Sequence, residues 1–244
     1  MLYHNIFRNL PEEIIHEVLS QTLSIPDEDF CSALSKSPFA KVTFNDTPSR
    51  AILEVCKQWH RIGTPLLYET VVFRSKAQIQ ALWWTLAHRP ELCKYVKKLR
   101  VERWYSVVAD VLKLTPNVTD VWMNLKLYSS DIGKGLAKAL LLIDPKRIIL
   151  KDECLKSRAR RMFIDALMYQ VEKLVKTFPS CQHLRHLHFN NLPEPSFEFL
   201  EVLSNHKSLV SIWLRDQAQK QALIKTMEAK HPDVAKKLEA PNER

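Results

Sequence analysis

A short apolar pattern that recurs along the chain constrains the fold more than any other feature of the sequence. It consists of an apolar residue, two variable residues and then two apolar residues separated by one position, as in Val118-x-x-Val121-x-Met123. The central positions of its copies are 71, 99, 121, 148, 187 and 212, which are 28, 22, 27, 39 and 25 residues apart. Because short alternating runs favour strands, the repeat predicts short parallel β-strands alternating with helices in an α/β fold.

Helical sequence separates these copies. Helices are expected over about 76–88, 106–114, 130–142, 158–177 and 196–204, with a last helix over 216–230. A strand and a helix repeated in this way are typical of a leucine-rich-repeat-like solenoid, in which right-handed crossovers build a curved parallel sheet. The alternatives are an α-helical repeat and a mixed α+β domain. Residues 234–238 fit either a closing strand or more helix.

The N-terminal part lacks this pattern and carries three short helices instead. Pro11 and the two glutamates after it suit a first helical turn, and apolar residues on one face continue that helix to about Thr22. The same spacing of apolar residues occurs after Thr47-Pro48 and continues to Trp59, which predicts a second helix there. Thr64-Pro65 then repeats the start signal for a third, short helix.

The chain therefore divides into two predicted domains, residues 1–68 and 69–244. Residues 24–47 are expected to form an inserted surface loop with room for one helical turn, because periodicity fails there. The first domain holds 6 basic and 8 acidic residues, whereas the second holds 30 and 19, a net charge of +11. The basic character thus belongs to the repeat region.

Two segments of the first domain resemble an F-box. Leu10-Pro11-x-Glu13-Ile14-Ile15-x-x-Val18-Leu19 looks like its first helix, and Ile52-x-x-Val55-Cys56-Lys57-x-Trp59 looks like its second. Pro65-Leu66-Leu67-Tyr68 follows in the expected order, and the sequence up to Phe73 is similar to the segment after the F-box in many fungal F-box proteins. The loop between the helices is longer than in most F-boxes.

The resemblance implies the substrate-recognition subunit of a Skp–cullin–F-box ubiquitin ligase. The first domain would dock onto the Skp-type adaptor and through it onto the cullin, while the repeat region would bind a protein substrate of unknown identity. The chain would be no enzyme, because the ligase supplies the ubiquitin transfer. The implied adaptor-binding residues are Leu10, Pro11, Ile14, Ile15, Val18, Ile52, Val55, Cys56 and Trp59.

The predicted sheet offers a second surface. In a solenoid of this kind, the residues between the apolar strand positions face the open, concave side. Two tryptophans beside arginines on that side have the composition of a protein-binding hot spot. The candidate substrate-binding residues are Arg100, Trp122, Ile149, His188, Trp213 and Arg215. In the alternative interpretation, the chain's own termini or loops cover the tryptophans.

Other chemistry finds little support in the sequence. The three glycines form no phosphate-binding loop, so nucleotide-binding folds of the Rossmann and P-loop types are not expected. His183, His186 and His188 lack further ligands at zinc spacing, and the five cysteines form no C-x-x-C pair, so no metal or cofactor is predicted. No nucleophile signature is present either.

Composition also limits the cellular location and the partners expected for the chain. No apolar run is long enough to span a bilayer, and the sequence favours a reducing compartment, so cytoplasm or nucleus is the expected location. Nucleic acid is not the expected partner, since no arginine-rich or RNP-like motif accompanies the basic charge. The alternative function is a non-degradative binding or scaffold protein, for which the basic region would be the surface offered to nucleic acid.

Overall fold

The computed structural model describes residues 10–31, 49–103, 105–124, 140, 142–151, 182–190, 203, 206–214 and 217–239. These residues form a mixed α/β structure with one parallel sheet. The chain divides into two units, Met1–Val71 and Val72–Arg244, and the division falls inside the first strand.

Helices and strands alternate through much of the described chain. The α-helices are α1 (Glu12–Leu23), α2 (Asp27–Cys31), α3 (Lys57–Glu69), α4 (Lys76–His88), α5 (Val107–Leu114), α6 (Gln217–Lys230) and α7 (Pro232–Glu239). The strands are β1 (Thr70–Phe73), β2 (Lys98–Val101), β3 (Asp120–Asn124), β4 (Arg147–Lys151), β5 (His186–Asn190) and β6 (Ser211–Leu214). Short 3₁₀ helices cover Ser49–Glu54 and Pro90–Tyr95.

The six strands form a single sheet whose order follows the chain, β1-β2-β3-β4-β5-β6. The central positions of the repeat lie side by side in register, in the order Leu99, Val121, Ile148, Leu187 and Ile212. All five are buried, so the apolar positions build the core on one face of the sheet. The parallel strands predicted from the pattern are therefore confirmed, together with their α/β class.

Several predicted helices agree with the structure. α4 has the expected bounds, α5 begins one residue later than expected, and α6 accounts for the helix predicted over 216–230. Residues 234–238 belong to α7, which contacts β6, so they are helical and form no closing strand. The helices predicted over 130–142, 158–177 and 196–204 lie wholly or mostly outside the described residues.

The core of the N-terminal unit lies between α1 and α3. Six side chains fill it, and five partly buried ones pack around them; the six are Ile15, Leu19, Leu23, Leu53, Leu66 and Leu67. α1 runs to Leu23, one residue beyond the predicted end. In the predicted loop, α2 supplies one helical turn, and its Phe30 is fully buried; residues 32–48 of that loop lie outside the described part.

The second and third helices differ from the prediction. The segment predicted as one helix ending near Trp59 forms two elements, because the 3₁₀ helix ends at Glu54 and α3 begins only at Lys57. Pro65 starts no new helix but lies inside α3, where it forfeits one backbone hydrogen bond. α3 continues through it because the leucines that follow, at 66 and 67, are anchored in the core. The burial of these leucines thus outweighs the tendency of Pro65 to interrupt the helix.

Gly63 lets the elements of this unit approach closely. A methyl group at this buried position of α3 would overlap Leu53 Cδ2. It would also lie 3.0 Å from Leu23 Cδ1 and 3.3 Å from Leu19 Cδ1. The absence of a side chain at residue 63 therefore sets how tightly α1, the 3₁₀ helix and α3 pack.

Among the helices that the structure describes, none has the length and apolar character needed to cross a membrane.

Candidate functional site

The outer face of α1 carries an apolar stripe. Pro11, Ile14 and Val18 are three and four residues apart, so they lie along one side of the helix. Ile14 is 50% exposed and Val18 is 49% exposed, and Pro11 is exposed as well. Ile15 and Leu19, which point about 100° away from the stripe, face the core of the unit in their place. Among the residues of the unit that the structure describes, the core is therefore built without the stripe.

The other predicted adaptor-binding residues fall into two groups. Ile15 is buried in the core, so its role in the structure is packing. Leu10, Ile52 and Trp59 are half-buried and pack against the core from its edge. These four side chains support the shape of the unit, and three of them keep some area at its surface.

Val55 and Cys56 lie in the break between the 3₁₀ helix and α3. Val55 is 62% exposed, the highest value among the large apolar side chains described as exposed. Cys56 is exposed too, and its Sγ accepts a hydrogen bond from the Trp59 N–H at 3.5 Å, which caps α3. Cysteine is a weak cap, which explains why the sequence did not reveal this helix start. The break thus adds Val55 to the exposed apolar side chains of the unit.

An exposed ion pair joins the two main helices of this unit. The Arg61 guanidinium of α3 donates to the Glu12 carboxylate at the start of α1. This hydrogen bond, and after it the negative charge of Glu12, raises the pKa of Arg61. Exposed pairs contribute little to stability, so this pair adds little to the free energy of unfolding of the unit.

The predicted substrate-binding residues form one row across the sheet. Arg100 lies beside Trp122 in register, followed by Ile149, His188 and Trp213 on the next three strands. Arg215 lies outside the described residues. The alignment of the row agrees with the repeat, because alternate residues of a strand point to one face.

The expected exposure of this row is wrong. Arg100, Trp122, Ile149 and His188 are buried, and Trp213 is half-buried. Neighbouring charged groups cover the Trp122 ring: Arg100 Cζ lies 3.9 Å and Lys151 Nζ 5.7 Å from its centroid. Across the row, the His188 and Trp213 rings are 5.7 Å apart. The side chains of adjacent strands thus pack over one another.

The three histidines predicted to be unrelated to metal binding make other contacts. His183 Nδ1 lies 2.6 Å from Asp144 Oδ2, and His186 Nδ1 lies 2.9 Å from Ser211 Oγ. Within the described ranges, no group of three His, Cys, Asp or Glu side chains has the arrangement of a metal site. These contacts connect neighbouring repeats.

A pair of exposed tryptophans on α4 was missed by the sequence reasoning. Ile79, Leu82 and Leu86 face the core, which leaves Trp83 40% and Trp84 58% exposed. The sequence did contain a sign of this exposure. Adjacent residues of a helix point about 100° apart, so Trp83 and Trp84 could not both lie on the side that faces the core. Exposed tryptophans are the side chains most enriched in protein-binding hot spots.

The Trp84 side chain has an aromatic neighbour on its own helix. The Trp84 ring stacks on His88, with centroids 4.1 Å apart, and His88 Nδ1 donates to the Trp84 carbonyl at 2.7 Å. α4 itself contains no acidic residue. The stack holds the indole in a fixed orientation, which lowers the entropy lost when a partner covers it.

No protein-family model matches the chain, and no curated protein matches it. The F-box resemblance therefore stays a prediction.

Proposed function

We propose that residues 1–68 are an F-box that docks onto a Skp-type adaptor, and that residues 69–244 are a degenerate leucine-rich-repeat-like solenoid that binds a protein substrate. The chain would then be the substrate-recognition subunit of a Skp–cullin–F-box ubiquitin ligase. It would catalyse no step itself. Its contribution is to raise the effective concentration of the substrate beside the ligase.

The observation that carries this proposal is the apolar surface of the N-terminal unit. Ile14, Val18 and Val55 are about half-exposed or more, although the unit has a complete core without them. Apolar side chains left outside a filled core mark an interaction surface. The stripe on α1 and the break before α3 coincide with the two segments that resemble an F-box.

Co-purification of the full chain with a Skp-type adaptor tests the docking. Burying the exposed half of an aliphatic side chain contributes about 1–1.5 kcal/mol. Because about 1.4 kcal/mol corresponds to a tenfold change in Kd, Ile14→Glu combined with Val18→Glu is expected to weaken adaptor binding about a hundredfold or more. Both positions are half-exposed, so the double variant is expected to fold.

The control is His16→Glu, which adds one of the two negative charges of the double variant at an exposed position on another side of α1. This variant should bind the adaptor like the wild type. Equal weakening by the control and by the double variant would show that charge, and not the apolar stripe, governs the binding. A folded wild-type chain that does not bind the adaptor would refute the proposal and favour a non-degradative binding or scaffold protein.

For the substrate, the exposed Trp83 and Trp84 of α4 are the better-supported contact, because the sheet row is buried. Mass spectrometry of proteins co-purifying with the chain can be compared between wild type and Trp84→Ala. The variant should keep the adaptor and lose the substrate. Loss of both, or of neither, would contradict this assignment.

A further inference from the structure

The amino-terminal edge of the parallel sheet carries a row of residues that backbone hydrogen bonds hold in line. Each residue of the row directly precedes a strand, and the carbonyls of the first four each accept two N–H groups from the next repeat. The Lys146 carbonyl, for example, accepts from the Arg185 N–H at 2.8 Å and from the His186 N–H at 3.1 Å. The row, which precedes β2 to β6 in order, consists of Lys97, Thr119, Lys146, Arg185 and Val210.

Three of the five positions in this row are basic, and we call them the basic edge: Lys97, Lys146 and Arg185. Lys146 and Arg185 are exposed and precede neighbouring strands, whose backbones are about 4.8 Å apart. Lys97 is half-buried and lies three strand spacings from Arg185, or about 14 Å. Like charges on adjacent strands repel each other, so an anion bound across these side chains would relieve a cost that the fold imposes.

The carboxylates that follow or precede this row in the sequence have other partners. Asp120 Oδ1 accepts from Arg147 Nε at 2.5 Å, and Asp144 Oδ2 lies 2.6 Å from His183 Nδ1. Within the described ranges, none of the three cations of the basic edge forms an ion pair. Their positive charge is therefore free to attract an anionic partner.

The size and composition of the row favour an acidic peptide over nucleic acid. Surfaces for single-stranded nucleic acid combine cations with aromatic rings on which bases stack, and no residue of the row is aromatic. Three cations also displace few counterions from a phosphate backbone, which gives weak binding at physiological salt. An extended peptide, in contrast, spans about 14 Å with about four residues, so a short acidic run matches the basic edge in length.

We propose that the basic edge binds a short, extended segment rich in Asp or Glu from a partner protein. The Arg185 guanidinium can donate two parallel hydrogen bonds to one carboxylate, whereas Lys146 and Lys97 attract the neighbouring carboxylates as point charges. The fixed backbone of the row keeps these groups in place before the partner arrives, which lowers the entropy lost on binding. As a contact for the substrate, this proposal rests on the proposed function, because it names the class of segment that the repeat region recognises.

NMR titration of the full chain at low salt tests the proposal. The probes are a peptide with a central run of about four glutamates, the same peptide with glutamines, and a single-stranded oligonucleotide of equal net charge. Saturable binding of the glutamate peptide is expected, with shifts of the Lys146 and Arg185 amide resonances, and the glutamine peptide should cause none. Absence of saturable binding, shifts confined to other residues, or tighter binding of the oligonucleotide would each overturn the proposal.

Exposed ion pairs contribute a factor of up to about five each to affinity, so Lys146→Gln combined with Arg185→Gln should weaken the glutamate peptide about tenfold. Both positions are exposed, so the double variant is expected to fold. The matched control is Lys225→Gln combined with Lys236→Gln, which removes the same charge from exposed positions of α6 and α7 and should keep the affinity. Equal loss in both double variants would indicate a general ionic effect and overturn the proposal.

Adaptor binding, measured on the same wild-type chain, separates this proposal from the proposed function. A chain that binds the adaptor but not the glutamate peptide refutes the acidic segment alone. A chain that binds the peptide at the basic edge but not the adaptor supports the acidic segment and refutes the ligase subunit.

Discussion

Replacing Gly63 by alanine is expected to destabilise the N-terminal unit, although alanine is the better helix former. In the interior of a helix this exchange stabilises by about 1 kcal/mol on propensity alone. At this site, however, the new methyl group would overlap Leu53 Cδ2 and press on Leu23 and Leu19, 3.0 and 3.3 Å away. The last two side chains are fully buried and have no path to solvent. Packing and propensity therefore act in opposite directions.

The sizes of these two effects decide whether Gly63→Ala raises or lowers the free energy of unfolding. Overpacking a filled core costs about 1–3 kcal/mol, and the flexible end of Leu53 can shift enough to keep the cost near the middle of that range. A cost of about 2 kcal/mol against a gain of about 1 kcal/mol leaves Gly63→Ala destabilised by about 1 kcal/mol. Gly63→Val adds two more methyl groups and a stiff side chain, so its loss should be larger still.

Amide hydrogen exchange of the full chain, read by mass spectrometry in α1 and α3, measures this locally. A loss of about 1 kcal/mol corresponds to roughly fivefold faster exchange in both helices. The control His60→Ala changes an exposed position of α3 and should not accelerate exchange. Slower exchange in Gly63→Ala would refute the reasoning, because it would mean that the core has room for the methyl group.

Four further predictions concern helix caps and the Cys93 thiol. Cys56→Ser should raise the free energy of unfolding by about 0.5–1 kcal/mol, since a hydroxyl accepts from the Trp59 N–H better than the present Sγ does; a lower urea midpoint would contradict this. Ser75 and Gln78 form a capping box at the start of α4, so Ser75→Ala should lower the free energy of unfolding by about 1 kcal/mol and lower the Tm. Ser75→Thr should keep most of the stability that the cap contributes, because threonine also accepts the capping hydrogen bond. Burial raises the pKa of the Cys93 thiol, so iodoacetamide at about pH 8 should label Cys93 more slowly than the exposed Cys56, and equal rates in the folded protein would argue against this. Because folded Cys93 keeps its proton to higher pH than the unfolded chain, its contribution to the free energy of unfolding should fall as pH rises through the ordinary thiol pKa.

The sheet could be predicted from the sequence because its signal is local. The spacing of two apolar positions fixes which face of each strand is buried, and the repeat then aligns neighbouring strands. Leu99 and Val121, for example, were matched by pattern alone and are register partners. The starts of α1 and α4 were predictable for the same reason, since the first turn of a helix carries its own chemistry.

The exposure of side chains could not be predicted in the same way. Trp122 looks identical in the sequence whether its ring faces solvent or lies under Arg100, because the covering residue comes from another strand. The division of the second F-box-like segment at Cys56 was also hidden, since the spacing of its apolar residues continues across the break, where the backbone of Cys56 is extended. Both failures concern contacts between segments that local periodicity does not record.

The order of the strands in the sheet has a consequence for synthesis. Each strand pairs with the one made just before it, and register partners are only 22, 27, 39 and 25 residues apart from β2 to β6. Closing loops of this length costs little entropy, and no strand must wait for a distant partner. The growing chain can therefore add one strand at a time to an existing edge as it leaves the ribosome. α7 follows β6 in the chain and contacts it, so it can pack against that strand soon after the strand has paired.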